Sequence, residues 1–267
     1  MTSPNLLQGD AATPASAGSR ASHTATRLLI GYVAILAAAE LLMTISVPAA
    51  ACGFALLAVA VCLASPMVSA ERGAALVRVL LAIPLVRLLT VAAPGADVVP
   101  AVRLAVLAVP TALAVVLAAR DLPVGWRVRR CGPSRWRAQA AVALVAVPLS
   151  VPVYLLVPPV PAASGSLPTA ALVALLTLSV VPDEILFRGL LVPALSGVAA
   201  RAAVPMAGAV YAATFVGYAS APVLVAACGV GFTLAWLRYR TGSMLGVVGA
   251  RILLVWLVYG AAPALGI

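Results

Sequence analysis

The chain lacks lysine altogether, has a single histidine, His23, and a single asparagine, Asn5. It has only 7 acidic residues in 267. Charged residues make up 9%, against about 25% in soluble domains, and 64% of residues are hydrophobic, with a mean hydropathy of +1.15. A soluble globule of this size has no interior large enough for so much apolar sequence. Strand-sized alternation is also absent, which argues against a transmembrane β-barrel. The four cysteines, Cys52, Cys62, Cys131 and Cys228, show no metal-ligand spacing and read as small apolar residues rather than a disulfide framework. With no histidine or cysteine converging on the acids, no metal or other cofactor is expected.

What is present is a series of apolar runs of about 20 residues, the length that crosses a bilayer at about 1.5 Å rise per residue. The expected fold is an all-α, polytopic transmembrane bundle. Nine spans are expected, near 28–47, 50–70, 74–93, 99–119, 138–157, 169–196, 203–219, 221–237 and 243–260. The break at 48–50 is weak, and joining the first two runs would leave eight. Residues 1–26, rich in Ser, Thr, Ala and Gly, are expected to form a disordered cytoplasmic tail. Residues 27–137 form an N-terminal group of helices with an arginine-rich loop, and residues 138–267 a C-terminal membrane core.

All the positive charge is arginine, and its placement is informative. Arg120, Arg127, Arg129, Arg130, Arg135 and Arg137 crowd one loop, while Arg72, Arg201, Arg238 and Arg240 flank others. With the N-terminus cytoplasmic, every arginine-bearing loop falls inside, as the positive-inside rule requires. The arginines then face a lipid bilayer rather than nucleic acid. Arg87 and Arg103 are placed at outer span ends, snorkelling towards Asp97 or headgroups. Glu40, mid-way along the first run, calls for a partner such as Arg78 or Arg87; a structural charge pair and a role in a site are both open. Gly242, Gly246 and Ala250 repeat small residues every four positions, a helix-packing pattern.

One stretch combines charge with apolar surroundings: Val181-Pro182-Asp183-Glu184-Ile185-Leu186-Phe187-Arg188-Gly189. Charge at such depth is costly and marks a candidate site. Pro182 is expected to kink or divide the helix. Glu184 and Arg188, four apart, share a face and can pair. Asp183 is turned about 100° away and can face a cavity. A carboxylate in a dry site can act as general base for water, although a Glu–Arg pair that merely orients a helix is equally consistent with the residues. Tyr218 and Arg251, on two later helices, come out at a similar depth: about 22 Å and about 16 Å from the inner surface, against about 20 Å for Asp183.

Asp183-Glu184-Ile185-Leu186-Phe187-Arg188-Gly189 resembles the Glu-Glu-x-x-x-Arg-Gly motif of the CAAX-processing and bacteriocin-processing (CPBP) family of intramembrane proteases. Tyr211–Tyr218 resembles the family's second motif, with Tyr218 near the place of a histidine. Gly231–Ser243, ending Arg240-Thr241-Gly242-Ser243, resembles the approach to its third, where Arg251 and Val255 stand at the positions of a histidine and an Asn or Asp. The resemblance covers about 169–260. It implies a CAAX prenyl endoprotease-like core and a glutamic-type or metal-type hydrolase that cuts a peptide bond in or near the membrane. It implies a membrane protein or C-terminal peptide as substrate. Asp183, Glu184, Arg188, Tyr218 and Arg251 become the candidate catalytic residues. Both family histidines are replaced, which points to altered or lost catalysis; the alternative is a pseudoprotease that binds a peptide or membrane-protein partner. Arg251 is open to two roles, stabilising an oxyanion or neutralising Asp183 as a buried ion pair.

Overall fold

The computed structural model describes residues 14–67, 72–92, 133–157 and 169–261. The fourth expected span, the six-arginine loop up to 132, Asp97 and Arg103 lie outside these. All described regular structure is helical: α1 (Pro14–Leu42), α2 (Val47–Ala64), α3 (Arg72–Ala92), α4 (Pro133–Leu144), α5 (Ala146–Leu156), α6 (Thr169–Glu184), α7 (Val192–Val198), α8 (Ala203–Ala213), α9 (Ala221–Thr241) and α10 (Met244–Val255). Two π-helical segments, Ile185–Leu191 and Trp256–Ala261, and two short 3₁₀ turns, Ser65–Met67 and Val216–Tyr218, are interleaved. The α1 helix begins at Pro14, so the second half of the segment expected to be a disordered tail is helical.

Among the described residues, six stretches are long and apolar enough to cross a membrane: 25–42, 47–64, 73–91, 136–156, 221–241 and 244–261. They are six of the nine spans expected from the apolar runs. The seventh expected span is a shorter apolar helix ending in a turn, Ala203–Tyr218. The first two runs are separate helices, but the break lies at 43–46 rather than at 48–50, which falls within α2. The chain turns after Leu42, and Ser46, in extended conformation, caps α2 through a bond accepted from the Ala49 amide. Satisfying a helix's orphan amides in this way lets a new helix start without exposing donors to lipid. The large side chains left outside, such as Leu155 at 76% and Leu63 at 74% exposure, are apolar. That is the surface a bilayer accepts and water does not.

Inside the bundle, α1 packs on α2 and α8, α2 on α3, α8 on α9, and α10 on α4, α5 and α6. Glycines make the tightest of these approaches possible. A Cβ on Gly208 would lie 3.2 Å from the Phe232 backbone, and one on Gly246 would lie 2.9 Å from Val142 Cβ. With lipid as apolar as leucine, such backbone-close packing is what holds helices together. Gly246 and Ala250 are both buried, as the small-residue repeat suggested. Gly242 is not part of that face: nothing would meet its Cβ, and at φ +65° it ends α9 in the left-handed region. The π segment Ile185–Leu191 sits at the hub, touching α3, α7, α8, α9 and α10, with Leu186, Leu190 and Leu191 almost fully buried.

Candidate active site

The site is built where α6 becomes the π segment. Pro182 neither divides nor ends the helix; the α-helical assignment runs through it to Glu184, and the backbone widens only afterwards. A π turn leaves the regular bonding ladder, and its carbonyls need other partners. One is supplied by Arg238, whose Nε donates to the Arg188 carbonyl at 3.2 Å and whose Nη1 donates to the Gly242 carbonyl. Arg238 thus ties the end of α9 to the hub.

Glu184 and Arg188 pair as their spacing required, Nη1 to Oε1 at 3.1 Å, with both side chains at 1% exposure. The Arg188 guanidinium also lies 4.0 Å from the centre of the Tyr211 ring and 5.8 Å from that of Phe187. A desolvated cation over an aromatic face is favourable by about 2 kcal/mol. Even so, the pair is incompletely satisfied. Glu184 Oε2 and Arg188 Nη2 are buried without a hydrogen-bond partner.

Arg251 is in the site, but its partner differs from the expected one. Its Nε stands 3.7 Å from Glu184 Oε1, and its Nη2 donates to the Tyr211 hydroxyl at 3.0 Å. The ion pair with Asp183 does not form, because Glu184 turns inward and draws both cations. Asp183 is left accessible and makes no ion pair among the described residues.

Tyr218 is not joined to this network. It is 67% exposed on the 3₁₀ turn after α8 and stacks on Phe215, ring centres 5.8 Å apart. Phe215 continues to Tyr211 at 5.0 Å, and Tyr211 meets Phe187 edge-on at 5.2 Å. These four rings run from the buried cation to the surface. Tyr211 is the residue the sequence reading missed, although it opens the second motif. Its signal was Gly231 on α9: a Cβ there would lie 2.8 Å from Tyr211 Cδ1, so the glycine makes room for the ring.

The Arg-Thr-Gly-Ser run has a local physical meaning. Gly242 stops α9; the Ser243 amide donates to Thr241 Oγ1 at 3.1 Å; and Ser243 Oγ caps α10 by accepting from the Gly246 amide at 3.0 Å. A sharp stop and restart sets the register of α10 and brings Arg251 to the depth of Glu184. A further pair comes from the N-terminal helices. Glu40, fully buried on α1, accepts both Nε and Nη2 of Arg87 on α3, and Arg87 Nη2 reaches the Thr214 carbonyl at 3.3 Å. Arg87 therefore does not snorkel outward. Among the described residues no group of three or more His, Cys, Asp or Glu side chains comes together.

No curated protein and no solved structure matches the chain. Residues 165–257 match one family, described as Rce1-like, Type II CAAX prenyl endopeptidase Rce1-like. The match covers the C-terminal segment that holds Asp183, Glu184, Arg188, Tyr211, Tyr218 and Arg251 and leaves out α1 to α5. In this multi-pass, all-α membrane protein, residues 165–257 thus match the Rce1-like CAAX prenyl endopeptidases, the family type that the motif around Asp183–Gly189 resembles.

Proposed function

We propose that the protein is a membrane-embedded endopeptidase with an altered site, in which Asp183 activates water and Arg251 faces the developing oxyanion. The observation that carries this reading is the separation of the two adjacent acids. Glu184 is buried and held by Arg188 and Arg251, whereas Asp183 is accessible and makes no ion pair among the described residues. A carboxylate already committed to two guanidinium groups is a poor proton acceptor, and an exposed one without such partners is available.

In this mechanism Asp183 takes a proton from water as the water oxygen bonds to the scissile carbonyl carbon. Arg251, whose side chain keeps 19% exposure, stabilises the negative charge on the carbonyl oxygen. The carbon–nitrogen bond then breaks, and the proton passes to the leaving amine. Arg188 and Glu184 fix Arg251 and the π segment. Tyr218 lines the mouth, offering a ring and a hydroxyl to the peptide. The arginine distribution supports a cytoplasmic N-terminus, and the Rce1-like match of residues 165–257 supports a substrate that is a membrane-anchored C-terminal peptide.

The replacement of both motif histidines favours a second reading, a pseudoprotease that holds a peptide or membrane-protein partner without cutting it; the one histidine of the chain, His23, is on α1. The two readings part on one experiment. Full-length protein in lipid nanodiscs is mixed with a fluorescent farnesylated peptide ending in a CAAX sequence. Cleavage by the parent, lost in Asp183→Ala and strongly reduced in Arg251→Gln, supports the endopeptidase. Binding of the peptide without release of its C-terminal tripeptide supports the pseudoprotease.

A further inference from the structure

The Glu40–Arg87 pair lies on helices outside the segment that matches the family. Its reach extends into the site. Arg87 bridges Glu40 to the Thr214 carbonyl, at the C-terminal end of α8, where carbonyls lack helical partners and a cation is favoured. The next turn approaches Glu40 equally closely. A Cβ on Gly217 would stand 3.0 Å from both the Glu40 carbonyl and Oε2. The segment then ends on Ala219 at φ 49°, the single non-glycine residue in left-handed conformation among the described residues. Such a backbone persists only where its surroundings hold it. This same turn carries Phe215 and Tyr218, the outer half of the ring series.

We propose that Glu40 and Arg87 are positioning residues that clamp the Thr214–Ala219 turn against α1 and α3, so that the N-terminal helices set the mouth of the site in the C-terminal core. The clamp needs Arg87's planar fork: two nitrogens hold the carboxylate while one of them also reaches the carbonyl. A lysine, with a single point charge, cannot do both. The clamp's consequence for cleavage rests on the endopeptidase reading; its consequence for the turn does not.

The test uses full-length protein in nanodiscs, with Cys52, Cys62, Cys131 and Cys228 replaced by alanine. Spin labels are placed at Ala219 and Trp236, the latter exposed far along α9, about 25 Å away by helical rise. A control pair at Leu155 and Trp236 spans α5 and α9. In Arg87→Lys and in Glu40→Gln the width of the 219–236 distance distribution is expected to grow at least twofold, with the control width unchanged. Gly217→Ala, which leaves both charges in place, should give the same broadening. An unchanged 219–236 width in all three variants overturns the proposal, as does equal broadening of the control, which would make the pair a general support of the bundle. Where the parent cleaves the farnesylated peptide, Arg87→Lys should lower kcat about tenfold with KM within about twofold, the signature of misplaced groups rather than lost binding. A parent that cleaves nothing removes the endopeptidase reading and leaves the distance result to decide the clamp.

Discussion

Among the described residues two carboxylates are fully buried, and they are treated differently. Glu40 on α1 meets one arginine through both its oxygens, and its pair is complete. Glu184 meets two arginines through a single oxygen, while its other oxygen, and one nitrogen of Arg188, have no hydrogen-bond partner. The first arrangement is saturated, and a saturated pair positions its helices. The second keeps polar valence unspent in a dry interior, where each such atom costs about 1–3 kcal/mol. That cost falls next to an exposed aspartate, the arrangement on which the proposed endopeptidase site rests.

The largest expected effect tests the under-satisfied pair. Arg188→Leu removes the cation nearest Glu184 and leaves a buried charge with only the longer contact to Arg251. It should cost about 3–5 kcal/mol, measured as loss of monodisperse protein and a lower Tm in detergent. A stable, monodisperse Arg188→Leu protein would mean that Arg251 alone suffices. Next, the saturated pair should behave as a unit. Glu40→Leu alone strands Arg87 and should cost about 3 kcal/mol, whereas Glu40→Leu with Arg87→Leu should recover most of that stability. If the double variant is no more stable than the single, the pair is not the closed unit described.

Gly231→Ala acts on the Glu184 side without touching charge. It forces the Tyr211 ring away from its place beneath Arg188 and should lower stability by about 1–3 kcal/mol. A parental Tm would show that the ring can yield. The smallest effect belongs to the clamped turn. Ala219→Gly relieves a left-handed alanine and should raise stability by about 1 kcal/mol or less. A fall in Tm instead would show that the turn's rigidity contributes more than its strain costs.

Much of this was legible in the chain. The membrane, the helical class and the Glu184–Arg188 pair follow from run length, hydropathy and a spacing of four, all properties of single helices. The register of a lone glycine was harder to read, so Gly242 looked like a packing residue when it is a cap. Pro182 was expected to kink or divide the helix; it does not divide it, and the backbone widens downstream, an outcome that depends on what packs around the π segment. Tyr211 was passed over because an aromatic in an apolar run ordinarily fills space. Its hydroxyl becomes functional only when Arg251 arrives from another helix.

The sequence by itself determined which residues are too costly to sit in hydrocarbon without a purpose, because that cost is paid residue by residue against lipid. It also carried the similarity of 165–257 to the Rce1-like CAAX endopeptidases, because motif residues and their spacing are written in the chain itself. Partner choice was decided by the tertiary structure. Arg251 goes to Glu184 and Tyr211 instead of Asp183, and Arg87 turns inward to Glu40 and Thr214 instead of outward. Coulombic attraction in a low-dielectric interior acts between whichever charges packing brings within a few ångströms, and packing is a property of the assembled helices.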